Sequence, residues 1–444
     1  QLTIFTEKRS EVGVQRSENR GRFGEPFFEH LSKTTYTSHA HSRMSTDARQ
    51  TELELSPEIS LLLACARTCI DREAAHRIKE AARRSLDWDR LIETSLTHGL
   101  MPLLYENLNT HCADIVPPSR LKQLKDLFQK NAARSVLLTG ELVDILDLFA
   151  TEGIEAMPYK GPAIAISIYG RLALRQFSDL DILVRKRDVW RCQQLLISRG
   201  YQPHFDITER QLPSFLKLGY VQMLTRDRGQ SVVELHWGIA SRFFMFPLDT
   251  DRFWERLRSA NLMGRKILAP STEDLLLLLC VHGAKDLWER LEWICGIAEL
   301  IRAHDDIDWN ALTRNAKELG AERILLLGLF LASDLYGAEL PGSIVRRIDE
   351  QPTIRSLAGE VRENLLQPNP AARGLRQRIL FHIRTRERLT DRFRYCTRLL
   401  FTTTPIDWQT WPLPASLSFL YPLLRPLRLA KKYALDHTKS LSCF

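Results

Sequence analysis

The chain has 444 residues, 44% of them hydrophobic and 26% charged, with a formal net charge of +8. This is the balance of a globular protein long enough for two or three domains. It excludes a disulfide-stapled miniprotein, and the positive charge favours polyanions or phosphates as partners. The eight cysteines (65, 69, 112, 192, 280, 295, 396 and 443) form no C-x-x-C pair and no zinc-spaced cluster, which predicts free thiols in a reducing cytoplasm. No window reaches 18 uninterrupted apolar residues, so no spanning helix is expected.

Residues 1–50 are polar, rich in Arg, Ser, Thr and Glu, and carry no sustained period, which predicts a disordered extension. Met44 stands just before the first good pattern, so residues 1–43 read as an upstream extension rather than as part of the fold. Order begins at "SPEISLLLACARTCI", with Ser56 as cap and Pro57 at the first helical position. Helical spacing then runs over 51–152, with stripes such as Leu142, Ile145, Leu146 and Phe149 and a stop at Gly153.

From 153 to 270 the pattern changes. Short strands are expected at 154–161, 178–185, 220–225 and 231–237, separated by helices at 162–170 and 188–201. "STEDLLLLLCVHGAKDLWERLEWICGIAELI" (271–301) returns to helix behind a Ser271/Asp274 capping box, and helices continue to 365. Residues 366–444 form a basic, amphipathic tail. Nine arginines between 373 and 398 suit RNA phosphates, an anionic membrane surface or plain solvation. The stretch 411–435 suits an interfacial segment or docking onto the helical core, so the protein is expected in the cytoplasm or at a membrane periphery.

The strand "SDLDILVR" carries two acids where apolar residues belong. Alternation sets Asp179 and Asp181 on one face, roughly 6.5–7 Å apart along the strand. Paired carboxylates repel, which favours a proton or a cation between them, and magnesium wants carboxylate oxygens, waters and substrate phosphates. Glu234 in "VVELHW" is a third acid inside an apolar strand, and His236 shares its face, as acceptor-orienting group or as hydrogen-bonded structure. Lys160 and Gly161 stand between a strand and a helix, where a backbone can approach phosphate closely. Arg171 and Arg175 either clamp outer phosphates or pair with the acids. In 271–301, a single helix face would hold His282, Lys285, Glu289 and Glu292; Lys285 could reach a phosphate, and Trp288 could stack on a base or lie in the core.

"YKGPAIAISIYG", "FSDLDILV", "VELHW" and "LCVHGAKDLWERLEWICGIAELI", over roughly residues 56–345, resemble a bacterial nucleotidyltransferase-like family of the DNA polymerase beta superfamily. The resemblance implies an α+β fold, a small mixed sheet flanked by N-terminal and C-terminal helical segments. It implies two magnesium ions held by Asp179, Asp181 and Glu234, with nucleotide contacts from Lys160, Gly161, Arg171, Arg175 and Lys285. The reaction it implies moves a nucleoside monophosphate from a nucleoside triphosphate to an acceptor hydroxyl, releasing pyrophosphate. An RNA end as acceptor, or a catalytically silent nucleotide-binding scaffold, are the alternatives. One departure stands out: Pro162 follows Gly161 where the superfamily has Ser or Gly, which moves weight onto Lys160.

Overall fold

The computed structural model describes residues 55–430 except 206, 208, 210–211, 241–243, 245, 247–249, 367–373, 403–406, 408–409, 412–416 and 418–419. The expected extension at 1–50 and the end of the tail lie outside the described residues. The first helix, Pro57–Cys65, starts where the Ser56 hydroxyl accepts the Ile59 amide at 3.4 Å. Helices Arg72–Ala82, Trp88–Thr97, Met101–His111 and the 34-residue Pro118–Thr151 follow. Gly153, at φ +68°, takes the left-handed turn that ends the last of them.

Five strands then build one sheet: β1 Ala156–Pro158, β2 Leu180–Val184, β3 Gln202–Pro203, β4 Val221–Arg226 and β5 Ser231–His236. Their spatial order is β1-β2-β5-β4-β3, with β2 and β5 parallel and the other neighbours antiparallel. Alternation decides what each face does. Leu180, Ile182, Val184, Val233 and Leu235 share a core with Leu142, Ile145, Leu146 and Phe149 of the long helix and Val189, Cys192 and Leu196 of helix Val189–Ser198. Asp181, Glu234 and His236 are thereby turned to the opposite face. The fold is α+β, a small mixed sheet between helical segments.

Two features depart from the sequence expectations. A second sheet, the hairpin of β6 Arg258–Leu262 and β7 Arg265–Ala269, turns on Met263 and Gly264 at φ +50° and +85°. Both residues being left-handed matches the twist that two-residue hairpins favour. The stretch 271–301 is two helices, Thr272–Lys285 and Leu291–Ala303, broken where Leu287 and Trp288 are left-handed at φ +55° and +56°. The fully buried Trp288 ring drives the break. It lies so close to Gly283 and Gly328 that a Cβ at those positions would come within 2.3 and 2.9 Å. The single face of His282, Lys285, Glu289 and Glu292 therefore does not exist, and Trp288 is core rather than a base-stacking platform. The Ser271 hydroxyl does accept the Asp274 amide, but the Asp274 carboxylate holds Arg256 instead of closing a capping box.

Helices Trp309–Glu318, Glu322–Tyr336, Gly342–Asp349, Pro352–Leu366, Leu375–Arg384 and Leu389–Phe401 follow, and residues 421–430 are helical as well. Several arginines of the tail are engaged within the chain, while Arg376 and Arg394 are exposed. Arg378 pairs with Glu289, Arg384 with Glu360, and Arg388 and Arg392 donate to the Lys317 and Arg386 carbonyls. Arg386 is buried between the Phe244 and Tyr395 rings, and buried Arg425 and Arg428 converge on buried Asp407. No helix of the described residues is long and apolar enough to cross a membrane.

Candidate active site

Register puts the acids together. Asp181 of β2 is the direct neighbour of Glu234 on the parallel β5, so their carboxylates project side by side. Asp181, Glu234 and His236 each offer a ligand atom, all within 4.8 Å of one another. Asp179 falls one residue before β2 begins, half-buried at the strand's entrance, so its side chain is placed by the incoming loop and not by the pleat.

Lys160 and His236 answer the buried negative charge. Lys160 Nζ lies 2.9 Å from Asp181 Oδ1. His236 Nε2 lies 3.0 Å from that same oxygen and 3.1 Å from Glu234 Oε2. Burial alone would raise the Asp181 pKa, but the Lys160 charge and the His236 hydrogen bond hold it well below the carboxylate range. The reciprocal effect acts on the partners. Burial opposes their charge, yet Asp181 keeps Lys160 well above its ordinary value, and hydrogen bonds to Asp181 and Glu234 raise His236. Asp179 has no such partner. Burial, and then the charges of Asp181 and Glu234, push its pKa up to about 6. Buried Tyr159 adds a hydroxyl 3.2 Å from His236 Nδ1.

Gly161 joins β1 to the short helix Pro162–Ser167, which ends earlier than the sequence pattern predicts. Its φ of +51° and ψ of −123° suit glycine alone, and a Cβ there would meet the Asp179 carbonyl oxygen at 3.3 Å. The turn thus backs directly onto the segment that presents the acids.

The remaining sequence candidates divide. Lys285, buried at the end of helix Thr272–Lys285, contacts Asp286 at 3.4 Å and lies 5.8 Å from the centre of the Tyr220 ring. It acts on Lys160 and Glu234 through its charge, so it belongs to the site's electrostatics. Arg175 pairs with buried Glu292 at 2.8 Å, and exposed Arg171 pairs with Glu106 at 2.5 Å. Neither guanidinium is partnered with the acids. Arg175 does line a cavity of about 30 Å³ together with Tyr159, Lys160, His282 and Glu292, the volume of about one water in the liquid. Burial, and then the charges of Lys160 and Lys285, keep His282 well below its usual pKa and so neutral. Tyr159 is the residue that sequence reasoning missed. Only the β1–β2 register, with Met157 opposite Leu183, shows that odd-numbered residues leaving β1 reach the acidic face.

The donor set fits a divalent cation. Two adjacent carboxylates and an imidazole within 4.8 Å of one another, with Lys160 seated on Asp181 and with Asp179, outside that group, raised in proton affinity by burial and then by their charge, describe a place where positive charge is wanted.

A small mixed sheet between helices, with acids on the face away from its core, is the arrangement expected of enzymes that transfer nucleotidyl groups. Comparison with protein families agrees: residues 84–337, more than half of the chain, match the model of an uncharacterised nucleotidyltransferase family, and the chain belongs to that family. No curated protein and no solved structure matches it.

Proposed function

We propose that this enzyme transfers a nucleoside monophosphate from a nucleoside triphosphate to an acceptor hydroxyl at the Asp179–Asp181–Glu234 face, with pyrophosphate leaving. The observation that carries the reading is the lateral pairing of Asp181 with Glu234 on two parallel strands, beside Lys160. These carboxylates would hold magnesium, whose chemistry is to neutralise phosphate charge and to lower the pKa of a bound hydroxyl. Asp179, whose pKa burial and then its acidic neighbours raise, is the acid whose ionised form a bound cation would relieve most. Lys160 and Lys285 offer the triphosphate positive charge from two sides, Lys160 from the β1 turn and Lys285 from the helix end. Charge placed in advance in a dry site is worth more than in water, because no solvent must reorganise as pyrophosphate leaves. Tyr159 and His236 close the inner wall beneath the acids.

The test is transfer itself. The full chain incubated with magnesium, a nucleoside triphosphate labelled at the α-phosphate and a small-molecule cell extract should move label into a new species and release pyrophosphate. Asp181→Asn should stop both. Transfer at the wild-type rate by Asp181→Asn would refute the assignment of the site.

A further inference from the structure

His236 sits where an acceptor-orienting group is not needed and where a ligand is. It ends β5 two residues after Glu234, on the same face, and only 2% of its surface is exposed. A ring buried that deeply, with its Nε2 between the Asp181 and Glu234 oxygens at 3.0 and 3.1 Å, has no route to a substrate hydroxyl that avoids the acids. The ring is backed by Tyr159, whose hydroxyl lies 3.2 Å from Nδ1 and 3.3 Å from Nε2, and the two rings meet edge to face, with centroids 5.2 Å apart at 87°. An imidazole backed by a buried hydroxyl, with Nε2 aimed at two carboxylates, is arranged as metal-binding histidines are, where an outer partner sets the ring's orientation.

We propose that His236 Nε2 is a ligand to the metal, in addition to the carboxylates, and that Tyr159 is the positioning residue that aims it. This rests on the metal reading above and adds the kind of metal. Oxygen donors alone suit magnesium, whereas imidazole nitrogen is a better donor to manganese and the later divalent ions. A mixed oxygen–nitrogen set therefore makes this a site that prefers manganese to magnesium. It also assigns Lys160 a place in the metal-free state: its ammonium occupies Asp181 Oδ1, the oxygen that a metal would share with the histidine.

The experiment uses manganese alone as the probe, added to the full chain without nucleotide. Electron spin echo envelope modulation reports nitrogen bound to manganese. Wild type should show ¹⁴N modulation, and protein grown with ¹⁵N-histidine should show ¹⁵N in its place, without any substitution. His236→Gln should still bind manganese through the carboxylates but without nitrogen coupling, and its preference for manganese over magnesium in calorimetric titration should shrink. Tyr159→Phe should keep the coupling and bind manganese about tenfold more weakly. Manganese bound in wild type with no nitrogen coupling, or coupling that persists in His236→Gln, would overturn the ligand assignment and leave the carboxylate site standing. Failure of wild type to bind manganese at all would overturn both.

Discussion

Replacing Asp179 by Asn separates electrostatics from packing. Burial, and then the charges of Asp181 and Glu234, raise the Asp179 pKa from 3.8 to about 6. A carboxyl whose folded pKa lies above its unfolded value binds its proton more tightly in the folded chain. Its contribution favours folding below pH 4 and turns against folding as pH rises through 6. At about 1.36 kcal/mol per pH unit of displacement, the ionised group costs at most about 3 kcal/mol above that window. Asn removes the charge at nearly constant volume. In EDTA, urea unfolding followed by circular dichroism should find Asp179→Asn about 1–3 kcal/mol more stable than wild type at pH 8 and equal to it at pH 4. Saturating divalent metal should narrow or reverse the gap at pH 8, because ligand binding stabilises the wild type more. Equal stability across the whole pH range, or a loss at pH 8, would refute the claim that Asp179 is a strained carboxylate awaiting a cation.

Lys160→Ala should weaken nucleoside triphosphate binding ten- to a hundred-fold and monophosphate binding less, from a lost charge-assisted contact of about 1.5–3 kcal/mol. The same variant should bind manganese more tightly without nucleotide, since the ammonium no longer holds Asp181; calorimetry reads both. Arg175→Met leaves buried Glu292 without its cation and should cost about 3–5 kcal/mol in thermal or urea unfolding, much of it restored in the Arg175→Met, Glu292→Gln double variant. Simple additivity of the two substitutions would show that the pair is uncoupled. Gly161→Ala, forced to φ +51° with its new methyl against the Asp179 carbonyl, should lose about 1–2 kcal/mol by the same assay, and an unchanged midpoint would show that the turn is relaxed.

The acidic face was legible because the other face of β2 and β5 is uniformly apolar. Leu180, Ile182, Val184, Val233 and Leu235 fix the direction in which Asp181 and Glu234 must point. The limits of that reading follow from the same physics. Asp179 obeys the alternation on paper but precedes the strand, because pairing between β2 and β5 starts at Leu180 and Val233. Tyr159 was hidden because its position depends on register between strands, which no local period encodes. The Arg175–Glu292 pair spans 117 positions, and nothing near either residue marks the partner. The hairpin at 258–269 was hidden as well, because its strands RSANL and RKILA carry a single β-branched residue, Ile267, and Met-Gly is not one of the usual turn pairs. The break at Leu287–Trp288 had no readable sign: the apolar spacing stays helical through it, and only the seat that Gly283 and Gly328 leave for the indole ring bends the chain. Composition counts the cations of the tail but does not say that Glu289, Glu360 and two backbone carbonyls receive four of them.

The most direct measurement of the central claim is calorimetric titration of a nucleoside triphosphate analogue with a non-hydrolysable α,β-bridge into the full chain, with magnesium or manganese and again in EDTA. The acidic site predicts binding that requires the metal in wild type and is lost in Asp181→Asn and in Glu234→Gln, while both variants stay folded by circular dichroism. Equal binding in EDTA, or full metal-dependent binding by either variant, would contradict it.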